Sequence, residues 1–194
     1  MAMTPKILAF SGSSREGSYN VRLLEVAVGG ARAAGAEVTL VNLRDLNLPL
    51  YDEDFERTEG LPEGARRLKK LMLAHQGFLI ASPEYNSSIS PALKNAIDWA
   101  SRPTLGEAGE LACFANKVAA LMSASPGGLG GLRGLVHVRA ILGNLKVLLI
   151  PEQVAVGMAH HAFHSEGGLK DTGQQKTVET LGAKVADMIR KLAA

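Results

Sequence analysis

A chain of 194 residues, 46% hydrophobic and 21% charged, can bury one sizeable core and is read as a single domain over residues 1–194. Its 21 Lys and Arg stand against 19 Asp and Glu, and a net charge of +2 gives no grip on a polyanion, which argues against a nucleic-acid partner. The single cysteine, Cys113, excludes an intramolecular disulfide, and neither a leader segment nor an apolar run of roughly twenty residues is present, so a cytoplasmic protein with no membrane partner is expected.

The first strand is expected at 6–10, a continuous apolar run that ends in Ser11-Gly12-Ser13-Ser14-Arg15-Glu16-Gly17-Ser18-Tyr19-Asn20. Ser11, Ser13 and Ser18 offer hydroxyls, Arg15 a permanent cation, and the helix expected to start here offers unpaired N–H groups. A phosphate dianion suits that set, and the alternative is an ordinary Gly/Ser loop with a helix cap. The Gly-Lys-Ser/Thr ending of a triphosphate loop is missing, and Gly12 and Gly17 lack the spacing of the dinucleotide fingerprint. Ser18 is expected to cap a helix carrying Val21, Leu24, Val28 and Ala31 on one face, with Gly35 stopping it.

A second strand at 38–42 leads into an acidic loop containing Leu48-Pro49-Leu50-Tyr51-Asp52, and then into a helix at 62–75. The third strand, 78–82, runs into Pro83-Glu84-Tyr85-Asn86-Ser87-Ser88, where a proline-stiffened backbone and the Tyr85 ring suit a flat heterocycle. Glu84 is equally well read as a solvent-facing loop charge. Ser90 as N-cap and Pro91 at the first helical position open a third helix with Leu93, Ala96, Ile97 and Ala100 in register.

The fourth strand, 118–123, is followed by Ser123-Ala124-Ser125-Pro126-Gly127-Gly128-Leu129-Gly130-Gly131, whose glycines let backbone approach a ligand. The apolar residues of the next helix, from 131 towards 143, cover more than one stripe, which points to a sheet on one side and a second subunit on the other. A fifth strand is expected at 146–150. After it, His160 and His164 could share a helix face beside His161 as metal ligands, against the plainer reading of packing at an oligomer surface. Leu181, Val185, Met188 and Leu192 mark the last helix.

Five apolar runs alternating with helices predict a doubly wound α/β fold with a parallel sheet, whose loops converge on a crevice at the carboxyl edge. The three loops, in this order, resemble the NADPH-dependent FMN reductase family of flavodoxin-like proteins, which includes quinone, azo-dye and chromate reductases. The resemblance rests on Gly12, Ser13, Arg15, Ser18 and Asn20, and on the stretch from Ser82 to Trp99 with its Pro-Glu-Tyr-Asn and Leu-Lys-Asn-Ala-Ile-Asp-Trp segments.

That resemblance implies a flavodoxin-like three-layer α/β/α sandwich with a five-stranded parallel sheet in the order 2-1-3-4-5. It implies noncovalent FMN, reduction by NADPH or NADH, and ping-pong transfer to free flavin, a quinone, an azo compound or chromate. Ser11, Ser13, Arg15, Ser18, Tyr19 and Asn20 would serve the phosphate end. Pro83, Glu84, Tyr85, Asn86 and Ser87 would border the isoalloxazine, with Ser123, Gly127 and Gly128 closing the other side. No side chain is expected to be catalytic, because the flavin carries the chemistry. Lys94, Asn95, Asp98 and Trp99 are read as structural. Self-association as a homodimer or homotetramer is expected. The rival reading is a flavodoxin-type one-electron carrier that does not oxidise NAD(P)H. A serine hydrolase lacks its Gly-x-Ser-x-Gly elbow.

Overall fold

A computed structural model describes residues 3–104 and 109–193. The central sheet contains β1 (Lys6–Ser11), β2 (Glu37–Asn42), β3 (Gly77–Ala81), β6 (Val118–Ala124) and β7 (Leu148–Val156), all parallel, in the order β2-β1-β3-β6-β7. Apart from the short hairpin of β4 (Glu84–Tyr85) and β5 (Ser88–Ile89), this is the expected 2-1-3-4-5 order.

Strand β1 shows why its sequence is continuously apolar. Ile7 and Ala9 face one core, while Leu8 and Phe10 face the other. The first core is closed by α1 (Tyr19–Ala33) and α7 (Thr172–Leu192), through residues such as Leu23, Leu24, Leu181 and Val185. The second is closed by α3 (Glu63–Ala74), α4 (Pro91–Ser101) and α5 (Leu132–Asn144), through Leu68, Met72, Leu93 and Leu135. With helices on both faces, the central strands are apolar along most of their length, and their buried polar residues, Ser11 and Ser123, come at the carboxyl ends.

Helices α1 and α7 cross at two glycines. A Cβ on Gly30 would run into the Glu179 carbonyl, and one on Gly182 into the Ala27 carbonyl. The Gly29-Gly30 pair therefore weakens the helix intrinsically, and Gly30 repays that by letting a second backbone come into contact.

Several elements differ from the sequence expectation. The acidic loop contains a further helix, α2 (Glu53–Glu59), started by the Asp52 side chain, which accepts from the Phe55 N–H at 2.9 Å. Three acidic residues in its first turn, Glu53, Asp54 and Glu56, favour the positive end of the helix dipole. The last strand begins two residues later than expected and continues past Pro151, which a sheet edge tolerates because an outward-facing N–H is not needed there. The helix α6 (Ala159–Ala162) ends before His164, so His160 and His164 do not share a helical face.

The segment before α2 is pinned to α4. Asn95 Nδ2 and Trp99 Nε1 each donate to the Pro49 carbonyl at 2.8 Å, and the Tyr51 N–H donates to Asn95 Oδ1 at 2.8 Å. Lys94 pairs with Asp98 one turn along, so the Lys-Asn-x-x-Asp-Trp residues are structural.

Candidate cofactor site

The loop after β1 is folded by its own serines. Ser11 Oγ accepts from the Ser13 N–H at 3.1 Å, and Ser13 Oγ accepts from the Arg15 N–H at 3.4 Å. Gly12 donates its N–H to the Ala81 carbonyl at 2.9 Å, and a Cβ there would lie 2.9 Å from both Leu93 Cβ and Ser90 Oγ. Ser90 Oγ donates to the Gly12 carbonyl at 2.6 Å and accepts from the Leu93 N–H at 3.3 Å. One hydroxyl thus caps α4 and ties the first loop to the second.

Ser18 occupies the N-cap position of α1 with extended backbone angles, but its side chain makes no capping bond. The expected cap is therefore absent: a buried hydroxyl and the first N–H groups of α1 are left together beside Arg15. The Arg15 guanidinium carbon lies 5.5 Å from the centre of the Tyr19 ring. Asn20 is committed elsewhere. Its Nδ2 donates to the Ala124 carbonyl at 2.9 Å and its Oδ1 accepts from the Ala124 N–H at 3.0 Å, so it fixes the distance between α1 and the end of β6.

The second loop is a two-residue hairpin, with Glu84 opposite Ile89 and Tyr85 opposite Ser88. Asn86 and Ser87 both have positive φ, 50° and 64°, the pattern of the turn that matches strand twist. Glu84 leaves the hairpin towards α5: its carboxylate accepts from Arg133 Nε at 2.9 Å, from Arg133 Nη2 at 2.6 Å and from the Gly134 N–H at 3.0 Å. It is not a solvent-facing charge: its carboxylate is turned towards α5 while the residue still lines the cleft. Burial alone would raise its pKa, but the Gly134 N–H and Arg133 outweigh that and hold it below the usual carboxylate value. His137 Nδ1 and Ser88 Oγ, 2.9 Å apart, add a second tie between hairpin and α5. Tyr85 remains half exposed.

In the third loop the glycines serve a neighbour within the fold. A Cβ on Gly130 would lie 2.6 Å from the Val156 carbonyl carbon, and one on Gly157 would run into the Gly128 carbonyl. Met158 and Ala159 donate their N–H groups to the carbonyls of Gly127 and Ser125, at 3.3 and 3.1 Å. Ser123 is fully buried, has no hydrogen-bond partner for its hydroxyl, and sits where a Cβ on Gly131 would go.

A cleft of about 340 Å³ opens where the three loops meet. Ser13, Arg15, Ser18, Tyr19 and Asn20 form one wall, and Pro83, Glu84 and Tyr85 another. The third wall is Ala124, Ser125 and Pro126, in place of the expected Ser123, Gly127 and Gly128. Ser11, Asn86 and Ser87 are also off its surface: Ser11 shapes the loop from beneath, and the other two form the hairpin tip. The local signal for the third wall was Pro126, which stiffens the chain as it leaves the sheet edge.

An open doubly wound sheet with a mononucleotide-sized cleft at the carboxyl ends of β1, β3 and β6 defines a flavodoxin-like protein. The sequence pattern of the NADPH-dependent FMN reductases matches residues 5–161, and the chain belongs to that oxidoreductase family. It is 37% identical over 175 residues to an NAD(P)H-dependent FMN reductase of Pseudomonas aeruginosa, covering 90% of this chain and 89% of the relative. An NAD(P)H:quinone oxidoreductase of Solanum tuberosum is 40% identical over 145 residues, covering 73% and 70% of the two chains. Among solved structures, FerB, a flavoenzyme NAD(P)H:(acceptor) oxidoreductase from Paracoccus denitrificans, superposes with a TM-score of 0.80 at 27% identity, covering 97% of this chain and 98% of its own. No helix among the described residues is long and apolar enough to cross a membrane.

Proposed function

We propose that the chain acts as a single domain that holds FMN noncovalently in this cleft and uses NADPH or NADH to reduce a small acceptor such as a quinone or free flavin, in ping-pong order. The observation that carries the reading is the uncapped start of α1. The buried Ser18, the Ser13 hydroxyl, the helix N-terminus and the Arg15 cation converge, and among the described residues no carboxylate is hydrogen-bonded or ion-paired to any of them.

When bound, FMN supplies the acceptor for a nicotinamide hydride and the donor to the second substrate. Ser13, Ser18 and Arg15 hold the phosphate. Residues 83–85 and 124–126 form facing walls for the ring, and the amide of Asn20 keeps the second wall in place. No side chain is assigned a nucleophilic step, and the one carboxylate on the cleft wall, Glu84, is neutralised by Arg133.

The homodimer or homotetramer expected for the chain belongs to the same proposal. Leu132 and Val136, 42% and 58% exposed on α5, support it.

The test is an anaerobic absorbance titration of FMN-saturated protein with stoichiometric NADPH, followed by a quinone. Bleaching of the flavin band near roughly 450 nm, and its return with acceptor, is the expected result. A band that stays oxidised with both NADPH and NADH would transfer the reading to a one-electron carrier.

A further inference from the structure

Arg15 does not stand on Tyr19 alone. The Tyr19 ring stacks on Phe163, with centroids 6.0 Å apart and planes 11° from parallel. The guanidinium carbon of Arg22 lies 4.9 Å from the centre of the Phe163 ring on that ring's own account. Two cations and two rings therefore form one linked series: Arg15, Tyr19, Phe163, Arg22. Tyr19 and Arg22 belong to the first turn of α1, whereas Phe163 comes from the segment after β7.

That segment is held firmly. Phe163 is 6% exposed and bridges to Leu169, the Lys170 N–H donates to the Ala162 carbonyl at 2.9 Å, and Arg22 Nη2 donates to the His164 carbonyl. Arg15, by contrast, is on an exposed loop, and its side chain makes one long hydrogen bond, Nη1 to the Glu16 carbonyl at 3.4 Å. A long cationic side chain that must be ordered by its ligand binds that ligand more weakly than one already placed, and a guanidinium lying on an aromatic face keeps its donors while losing its freedom.

We propose that Tyr19 and Phe163 form a stacked pedestal for Arg15. Phe163, which is off the cleft wall, is then a positioning residue that sets how strongly a phosphorylated flavin is preferred over an unphosphorylated one. The proposal rests on the reading that the phosphate of FMN lies at the loop after β1. It differs from that reading in assigning part of the selectivity to the far end of the chain.

The experiment compares the Kd of FMN and of riboflavin by flavin fluorescence titration in the parent protein and in Phe163→Leu and Arg22→Gln. The Leu variant keeps apolar bulk but removes the ring. FMN affinity is expected to fall by about three- to tenfold while riboflavin affinity is unchanged. Arg22→Gln leaves both rings in place and carries the test if the Leu variant does not fold; a smaller loss, again confined to FMN, is expected. Equal weakening of both flavins, or an unchanged FMN to riboflavin ratio in Phe163→Leu and Arg22→Gln, would overturn the pedestal. A parent protein that binds both flavins equally would overturn the phosphate assignment itself, and the pedestal with it.

Discussion

Glu84 and Arg133 are 49 residues apart in sequence, yet Glu84 Oε1 accepts from both Nε and Nη2 of the arginine while Oε2 accepts from the Gly134 N–H. The carboxylate thereby clamps the hairpin that walls the cleft to the first turn of α5, which has a left-handed Gly131 at its N-cap and no side-chain cap of its own. A charge supplied from another element does the work of a missing local cap.

Glu84→Gln should lower stability at pH 7 by about 1 kcal/mol, because Arg133 is largely exposed and only part of the interaction escapes solvent screening. The folded-state pKa of Glu84 lies below its ordinary 4.5, so its contribution is present above that value and disappears as pH falls through the lower, folded one. Urea unfolding should therefore show the parent and variant separated at neutral pH and converging under acid conditions. A gap that is constant with pH would exclude the charged clamp.

Arg15→Ala should weaken FMN binding by about 1.5 to 3 kcal/mol, the range for a hydrogen bond to a charged group. Fluorescence titration measures it directly, and unchanged affinity would remove Arg15 from the phosphate site.

Ser87 carries a φ of 64° in a two-residue turn, a conformation in which glycine has no Cβ penalty. Ser87→Gly should stabilise the protein by about 0.5 to 1 kcal/mol, read as a rise in Tm. A fall in Tm would mean that the serine side chain contributes more than its backbone strain removes.

Gly182→Ala places a methyl against the Ala27 carbonyl, which belongs to a helix backbone and cannot rotate away. A loss of about 1 to 3 kcal/mol is expected in chemical denaturation. Gly29→Ala, one residue from the crossing and with nothing within 4 Å of its Cβ, should be neutral or stabilising.

Val136→Lys puts a charge on the exposed stripe of α5. If that stripe is the self-association surface, sedimentation should show a smaller species than the parent; an unchanged assembly would move the interface elsewhere.

Much of the fold was legible because it is encoded locally. The strands are unbroken apolar runs, and Ser90-Pro91 marks the start of α4 by rules that need no distant partner. The two sides of the cleft that carry sequence motifs were legible for the same reason. What escaped is nonlocal: Glu84 finds its partners on α5, Asn20 finds Ala124, and the glycines of the third loop make room for the chain after β7. The hairpin at Asn86 and Ser87 lacks the usual Asn-Gly, so its strongest local sign was missing. Helix α2 did have its sign, an Asp cap followed by acidic residues, but its seven residues bury none of their side chains and so show no apolar period.

The Asn20 amide also bears on when the protein can acquire its cofactor. It joins residues 104 positions apart, and the wall it secures does not exist until β6 has emerged and paired with β3. A growing chain that ends before this point has the loop after β1 but not the opposing wall of the cleft. If the flavin sits as proposed, its capture would be a late event in the life of a newly made molecule, after most of the sheet has assembled.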